Sequence, residues 1–101
     1  MARTGEWAVR LYLFEEDRTT KARVVLDTGT ASLTGHGSAR CQPEDVEVPE
    51  IGDELAASRA MSDLAAQLMR TAYDDMEGVR ASARGRRSGS DRPLKPAGGA
   101  R

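Results

Sequence analysis

Side chains that do chemistry are scarce in this chain. It has one cysteine, Cys41, and one histidine, His36, among 101 residues. A lone cysteine excludes an internal disulfide, and with it a disulfide-stapled secreted scaffold. Aromatic residues are few as well: Trp7, Tyr12, Phe14 and Tyr73, the first three within one eight-residue stretch. No apolar run approaches the ~20 residues that a membrane-spanning helix needs. The N-terminal residues 1–6 have no apolar core and read as neither a signal nor a transit peptide. The cytoplasm is the expected location, with no membrane partner.

The same scarcity bears on catalysis and metals. A metal site needs several converging His, Cys or carboxylate ligands. His36 and Cys41 are separated by an odd number of residues, which on a regular strand sends them to opposite faces. Cys–His nucleophilic catalysis fails on the same geometry. Asp74 and Asp75 are adjacent on a helical stretch and diverge by about 100°, so they read as a solvated face. Gly35-His36-Gly37 lacks the spacing of a phosphate-binding loop. The expectation is a non-enzymatic protein with no metal, no cofactor and no small-molecule substrate.

Period-two alternation marks three strands. Over residues 6–15, Trp7, Val9, Leu11 and Leu13 share one face, the better core candidate. Ala8, Arg10, Tyr12 and Phe14 share the other. Residues 20–27 alternate Ala22, Val24 and Leu26 against Lys21, Arg23, Val25 and Asp27, and Asp27-Thr28-Gly29 supplies turn residues. Residues 31–41 read as a third strand weakened by glycine, in which Leu33, Gly35, Gly37, Ala39 and Cys41 point one way. Small residues there let another backbone come close. Short connections between consecutive strands favour an antiparallel meander.

A helix is predicted from about Pro49 or Ile51 to about Val79. Its apolar stripe comprises Ile51, Met61, Ala65, Leu68, Met69, Ala72, Met76 and Val79, with Arg59, Asp63, Gln67, Arg70, Asp74 and Glu77 opposite. The methionines on that stripe read as core filler. Beyond Ala81 little remains to bury. The fold class is therefore α+β, a three-stranded antiparallel meander packed on one long C-terminal helix. The domain spans residues 1–80, and residues 81–101 form a basic disordered tail.

The overall charge of −1 hides a split. Residues 1–80 hold nine Lys/Arg against fifteen Asp/Glu, whereas residues 81–101 hold six against one. The tail cations, Arg84, Arg86 and Arg87 first among them, form an arm of the kind that binds phosphate backbones by counterion release. In the acidic body, Arg10, Lys21 and Arg23 are candidates for a local RNA-binding patch. Arg10 also shares a face with Ala8, Tyr12 and Phe14, a partly apolar set that suits a homodimer seam. Small size favours dimerisation too, since a small domain buries a small fraction of its surface.

The run from Val48 to Ala65 (VPEIGDELAASRAMSDLA), with Trp7 to Leu13 and the Gly35-His36-Gly37-Ser38-Ala39-Arg40 segment, resembles a family of small actinobacterial domains of unknown function, some associated with dormancy and hypoxia. The resemblance covers roughly residues 6–80, and the helix-start run is its specific part. It implies a β-β-β-α fold similar to double-stranded-RNA-binding domains, a dimer, and a shape similar to ribosome hibernation promoting factors. The function it implies is a stress-linked factor that associates with the ribosome or rRNA and suppresses translation. The alternative is a dimeric protein–protein interaction or regulatory module without nucleic-acid binding.

Overall fold

The computed structural model describes residues 2–91, with side chains as far as Gly85. Its elements are β1 (Ala8–Glu16), β2 (Thr19–Asp27), β3 (Ser32–Arg40) and α1 (Pro49–Asp91). The strands form one antiparallel sheet in the order β1-β2-β3, so the expected meander and helix are both present. The chain divides into two units, residues 1–69 and residues 70–101, and each is described by itself.

Two tight turns set the strand register. Glu16 pairs with Thr19, which leaves Asp17 and Arg18 as a two-residue loop. Both have positive φ, 54° and 60°, the signature of a type I′ hairpin. Neither is glycine, so each left-handed residue costs roughly 1 kcal/mol, and contacts made by Arg18 must offset that cost. The second turn holds Gly29 at φ 93°, where its N–H donates to the Asp27 carboxylate at 2.8 Å.

The helix begins where its sequence directs. Val48 C=O accepts from the N–H groups of Ile51 and Gly52. Pro49 takes the first helical position, where its missing N–H is no loss.

The core is built from small side chains. Ala22, Val24 and Leu26 of β2 and Ala39 of β3 bury against Ala56, Ala60 and Leu64 of α1, with Leu33 and Leu68 at its margin. Gly35 and Gly37 make this close approach possible. A Cβ on Gly35 would collide with Ala60 O and lie 2.8 Å from Leu64 N. One on Gly37 would collide with Ala60 N and lie 2.7 Å from Arg59 C.

Two sequence expectations are corrected here. The helix buries Ala56, Ala60 and Leu64, whereas Ile51, Met61, Met69, Met76 and Val79 of the expected stripe stay exposed. Backbone-to-backbone approach at the glycines selects small residues over large ones. The supposed core face of β1 is also exposed at Val9, Leu11 and Leu13. Register puts Val9 opposite Leu26, Leu11 opposite Val24 and Leu13 opposite Ala22, so these residues do face the helix side. The helix, however, seats on the glycines of β3 and leaves β1 uncovered.

Arg59, Asp63 and Gln67, expected on the solvent side of the helix, instead cap the outer edge of β3. Asp63 accepts from His36 N–H at 2.8 Å, Arg59 donates to Ser38 O at 2.8 Å and Gln67 donates to Thr34 O at 2.6 Å. The edge of β1 has no such cap among the described residues.

In the second unit α1 continues to Asp91, past its expected end near Val79. Glu77 pairs with Arg80 at 3.3 Å and with Arg84 at 3.5 Å, all well exposed, a geometry that adds little stability. Residues 92–101 of the expected tail lie outside the described residues.

Candidate nucleic-acid interface

The sheet has two faces, and the alternation of β2 tells them apart. Ala22, Val24 and Leu26 are buried toward the helix, whereas Lys21, Arg23 and Asp27 are exposed on the far side. Register carries that far face across the other strands. Tyr12 pairs with Arg23, Phe14 with Lys21 and Arg10 with Val25; on the other flank Arg23 pairs with His36 and Lys21 with Ser38. Arg10, Tyr12, Phe14, Lys21, Arg23 and His36 therefore share one open surface. Arg40 at the end of β3 has the same parity.

Within this surface the Arg23 guanidinium lies 4.5 Å from the centroid of the Tyr12 ring, a cation–π distance. Tyr12 is 45% exposed and Phe14 60%. Four cations, Arg10, Lys21, Arg23 and Arg40, face two carboxylates at the margins, Glu16 and Asp27. A locally positive face with open rings thus sits on an otherwise acidic body.

The sequence candidates are distributed unevenly. Arg10, Lys21 and Arg23 come together on this face, as do Ala8, Tyr12 and Phe14 of the expected dimer seam. Arg84 lies in the second unit beside Glu77. The side chains of Arg86 and Arg87 lie outside the described residues. His36 and Arg40 were not among the candidates, although the parity of the third strand already put them opposite Gly35 and Ala39. The exposed strip of Val9, Leu11 and Leu13 was missed as a surface because alternation alone assigned it to the core.

A second cluster lies where the β1–β2 hairpin meets the connection into α1. Arg18 donates from Nη2 to Cys41 Sγ at 3.0 Å, Gln42 O at 2.8 Å and Asp45 O at 2.6 Å, and lies 3.5 Å from the Glu47 carboxylate. These contacts hold its left-handed backbone. Its Nε is buried without a hydrogen-bond partner among the described residues. Beside it is a cavity of about 300 Å³ walled by Val46, Val48, Ile51 and Leu55, with the buried Thr20 at its back. The Glu15 carboxyl at the rim is held above its ordinary value, first by hydrogen bonding to the Glu47 carboxyl, then by desolvation and by the charges of Glu47 and Asp53. Among the described residues no group of three or more His, Cys, Asp or Glu could hold a metal ion. No helix among them is long and apolar enough to cross a membrane.

Comparison with known proteins places the chain among relatives of the same fold. A family model described as Rv2632c-like matches residues 5–85. An uncharacterised protein of Mycobacterium bovis, Mb1767, is 40% identical over 73 residues, which is 72% of this chain and 78% of its own length. The uncharacterised protein Rv2632c of Mycobacterium tuberculosis is 44% identical over 63 residues, 62% of this chain and 68% of its own length. The crystal structure of Rv2632c aligns with a TM-score of 0.72 at 36% identity, covering 77% of this chain and 93% of that one.

Proposed function

The chain belongs to the Rv2632c-like family, and we propose that it acts as a non-enzymatic, cytoplasmic factor that associates with RNA or the ribosome through the open face of its sheet. One observation carries this reading. Arg10, Lys21 and Arg23 converge with Tyr12 and Phe14 on one exposed face, although Asp and Glu outnumber Lys and Arg by fifteen to nine over residues 1–80. Cations grouped against the trend of the whole body attract phosphate to one surface and repel it elsewhere. The family resemblance noted in the sequence implies a likeness to double-stranded-RNA-binding domains and hibernation promoting factors, and on that ground the reading extends to translational suppression in stress or dormancy.

The reading includes a homodimer. The uncapped edge of β1 and the uncovered strip of Val9, Leu11 and Leu13 are an unpaired strand edge and an unfinished core, and both invite a second chain. That strip lies on the helix side of the sheet, so a dimer formed there leaves the cationic face free. The same strip supports a second reading, a dimeric protein–protein interaction or regulatory module with no nucleic-acid role.

Sucrose-gradient fractionation of stressed cells at low salt separates the two. The first reading expects the protein in ribosomal fractions, from which added salt releases it. Recovery only in ribosome-free fractions would sink it and favour the second.

A further inference from the structure

Building on that reading of the same face, we propose that its ligand is single-stranded RNA, whose unpaired bases stack on Tyr12 and Phe14, and not an RNA duplex. Both rings are exposed on a rigid strand, 45% and 60% respectively. They are two residues apart, hence about 7 Å along the strand. That separation is too large for one base to lie on both, so each ring takes its own base.

The cations are arranged to match. Arg23 lies over the Tyr12 ring at 4.5 Å, and a guanidinium plane is itself a stacking surface for a base. Lys21 is directly across the strand pair from Phe14, and Arg10 is one step beyond Tyr12 on the same face. Each ring therefore has a cation beside it for the phosphate that follows its base. This alternation of rings and cations suits an extended strand with splayed bases.

A duplex makes different demands. Its bases are paired and stacked on one another, and proteins meet it through phosphates and 2′-hydroxyls. Exposed rings gain nothing from such a surface. Phe14 would remain an uncovered apolar ring against a polar ligand, whereas a single strand buries it.

The test uses the full chain and two fluorescent probes of about 12 nucleotides, within the footprint such surfaces occupy. One is an unstructured pyrimidine strand and the other a blunt RNA duplex, both read by anisotropy. The single strand is expected to bind at least 10-fold tighter. Tyr12→Val and Phe14→Thr should each weaken it by roughly 5- to 150-fold, the range that base–aromatic stacking spans, and Tyr12→Phe should leave it unchanged. With three cations engaged, log K should fall against log salt with a slope near −2, at about 0.7 per phosphate on a single strand.

Ring-proton shifts of Tyr12 and Phe14 in the unmodified protein, followed by NMR as the pyrimidine strand is added, give a readout independent of any variant. Upfield movement is expected. Equal affinity for duplex and single strand with neutral aromatic variants would overturn the stacking proposal and leave RNA association standing. So would single-strand binding that is lost in Lys21→Gln and Arg23→Gln but retained in the aromatic variants. No binding to either probe at low salt would overturn both.

Discussion

Adding a single methyl group at Gly37 should dislodge the helix from the sheet. The backbone of Gly37 is not left-handed, so alanine meets no conformational objection there. The obstacle is steric. Its Cβ would lie 2.7 Å from Arg59 C and closer still to Ala60 N and Ala56 O. All three are backbone atoms and cannot swing aside as a side chain would. Ordinary contact begins near 3.4 Å, so α1 must lift by more than half an ångström over β3. That lift opens gaps around Ala56, Ala60 and Leu64.

Overpacking of this kind costs about 1–3 kcal/mol. The stiffer unfolded chain of the alanine variant offsets roughly 0.4–1 kcal/mol. A net loss of about 1.3 kcal/mol lowers Tm by roughly 5–10 °C in a domain of this size. The control is the same substitution at Gly78, a helical position with nothing within 4 Å among the described residues, where alanine should stabilise by about 0.5–1 kcal/mol. Thermal melts followed by circular dichroism compare the two. If Gly37→Ala melts at or above the wild-type temperature, the helix does not seat on β3 as described.

Three further outcomes follow from the same contacts. The folded protein holds the Glu15 proton more tightly than the unfolded chain does, so that group's contribution to stability is present in acid and is lost as pH rises through its folded value. Glu15→Gln should accordingly raise Tm near neutral pH, and the gain should vanish at about pH 4; a gain of equal size at both pH values would contradict the Glu15–Glu47 contact. Arg18→Gly relaxes the left-handed turn but removes the contacts to Gln42 and Asp45, so hydrogen exchange should speed up across residues 42–48 while the strands stay protected. Exchange unchanged there would refute the clasp. Sedimentation at high micromolar concentration should give twice the 10.9 kDa chain mass, and Leu11→Glu should shift it toward the monomer; a wild-type monomer mass would remove the dimer.

How much of this was legible in the sequence varies from element to element. Strand periodicity located all three strands, and Pro49 located the helix start, because these signals are local. The glycines of the third strand correctly pointed to a close backbone approach. What the pattern could not convey was which part of the sheet the helix covers. Helical periodicity favoured the large residues Ile51, Met61 and Met69, but contact with Gly35 and Gly37 selects Ala56 and Ala60. Alternation therefore sent Val9, Leu11 and Leu13 to a core that the helix never reaches. The open face was half legible: Arg10 on the first strand and Lys21 and Arg23 on the second were picked out, and register was needed to set Tyr12 against Arg23 and to add His36.

Placing the functional surface on the sheet is the central claim, and a comparison of two triple variants tests it most directly. One is Arg10→Gln/Lys21→Gln/Arg23→Gln, and the other Arg84→Gln/Arg86→Gln/Arg87→Gln, each measured for RNA affinity across a salt series. The account predicts that the sheet variant loses affinity and that its salt slope falls by about 2, roughly 0.7 per phosphate contact removed on a single strand, while the helix variant keeps both. Wild-type binding by the sheet variant, with loss confined to the helix variant, would contradict it.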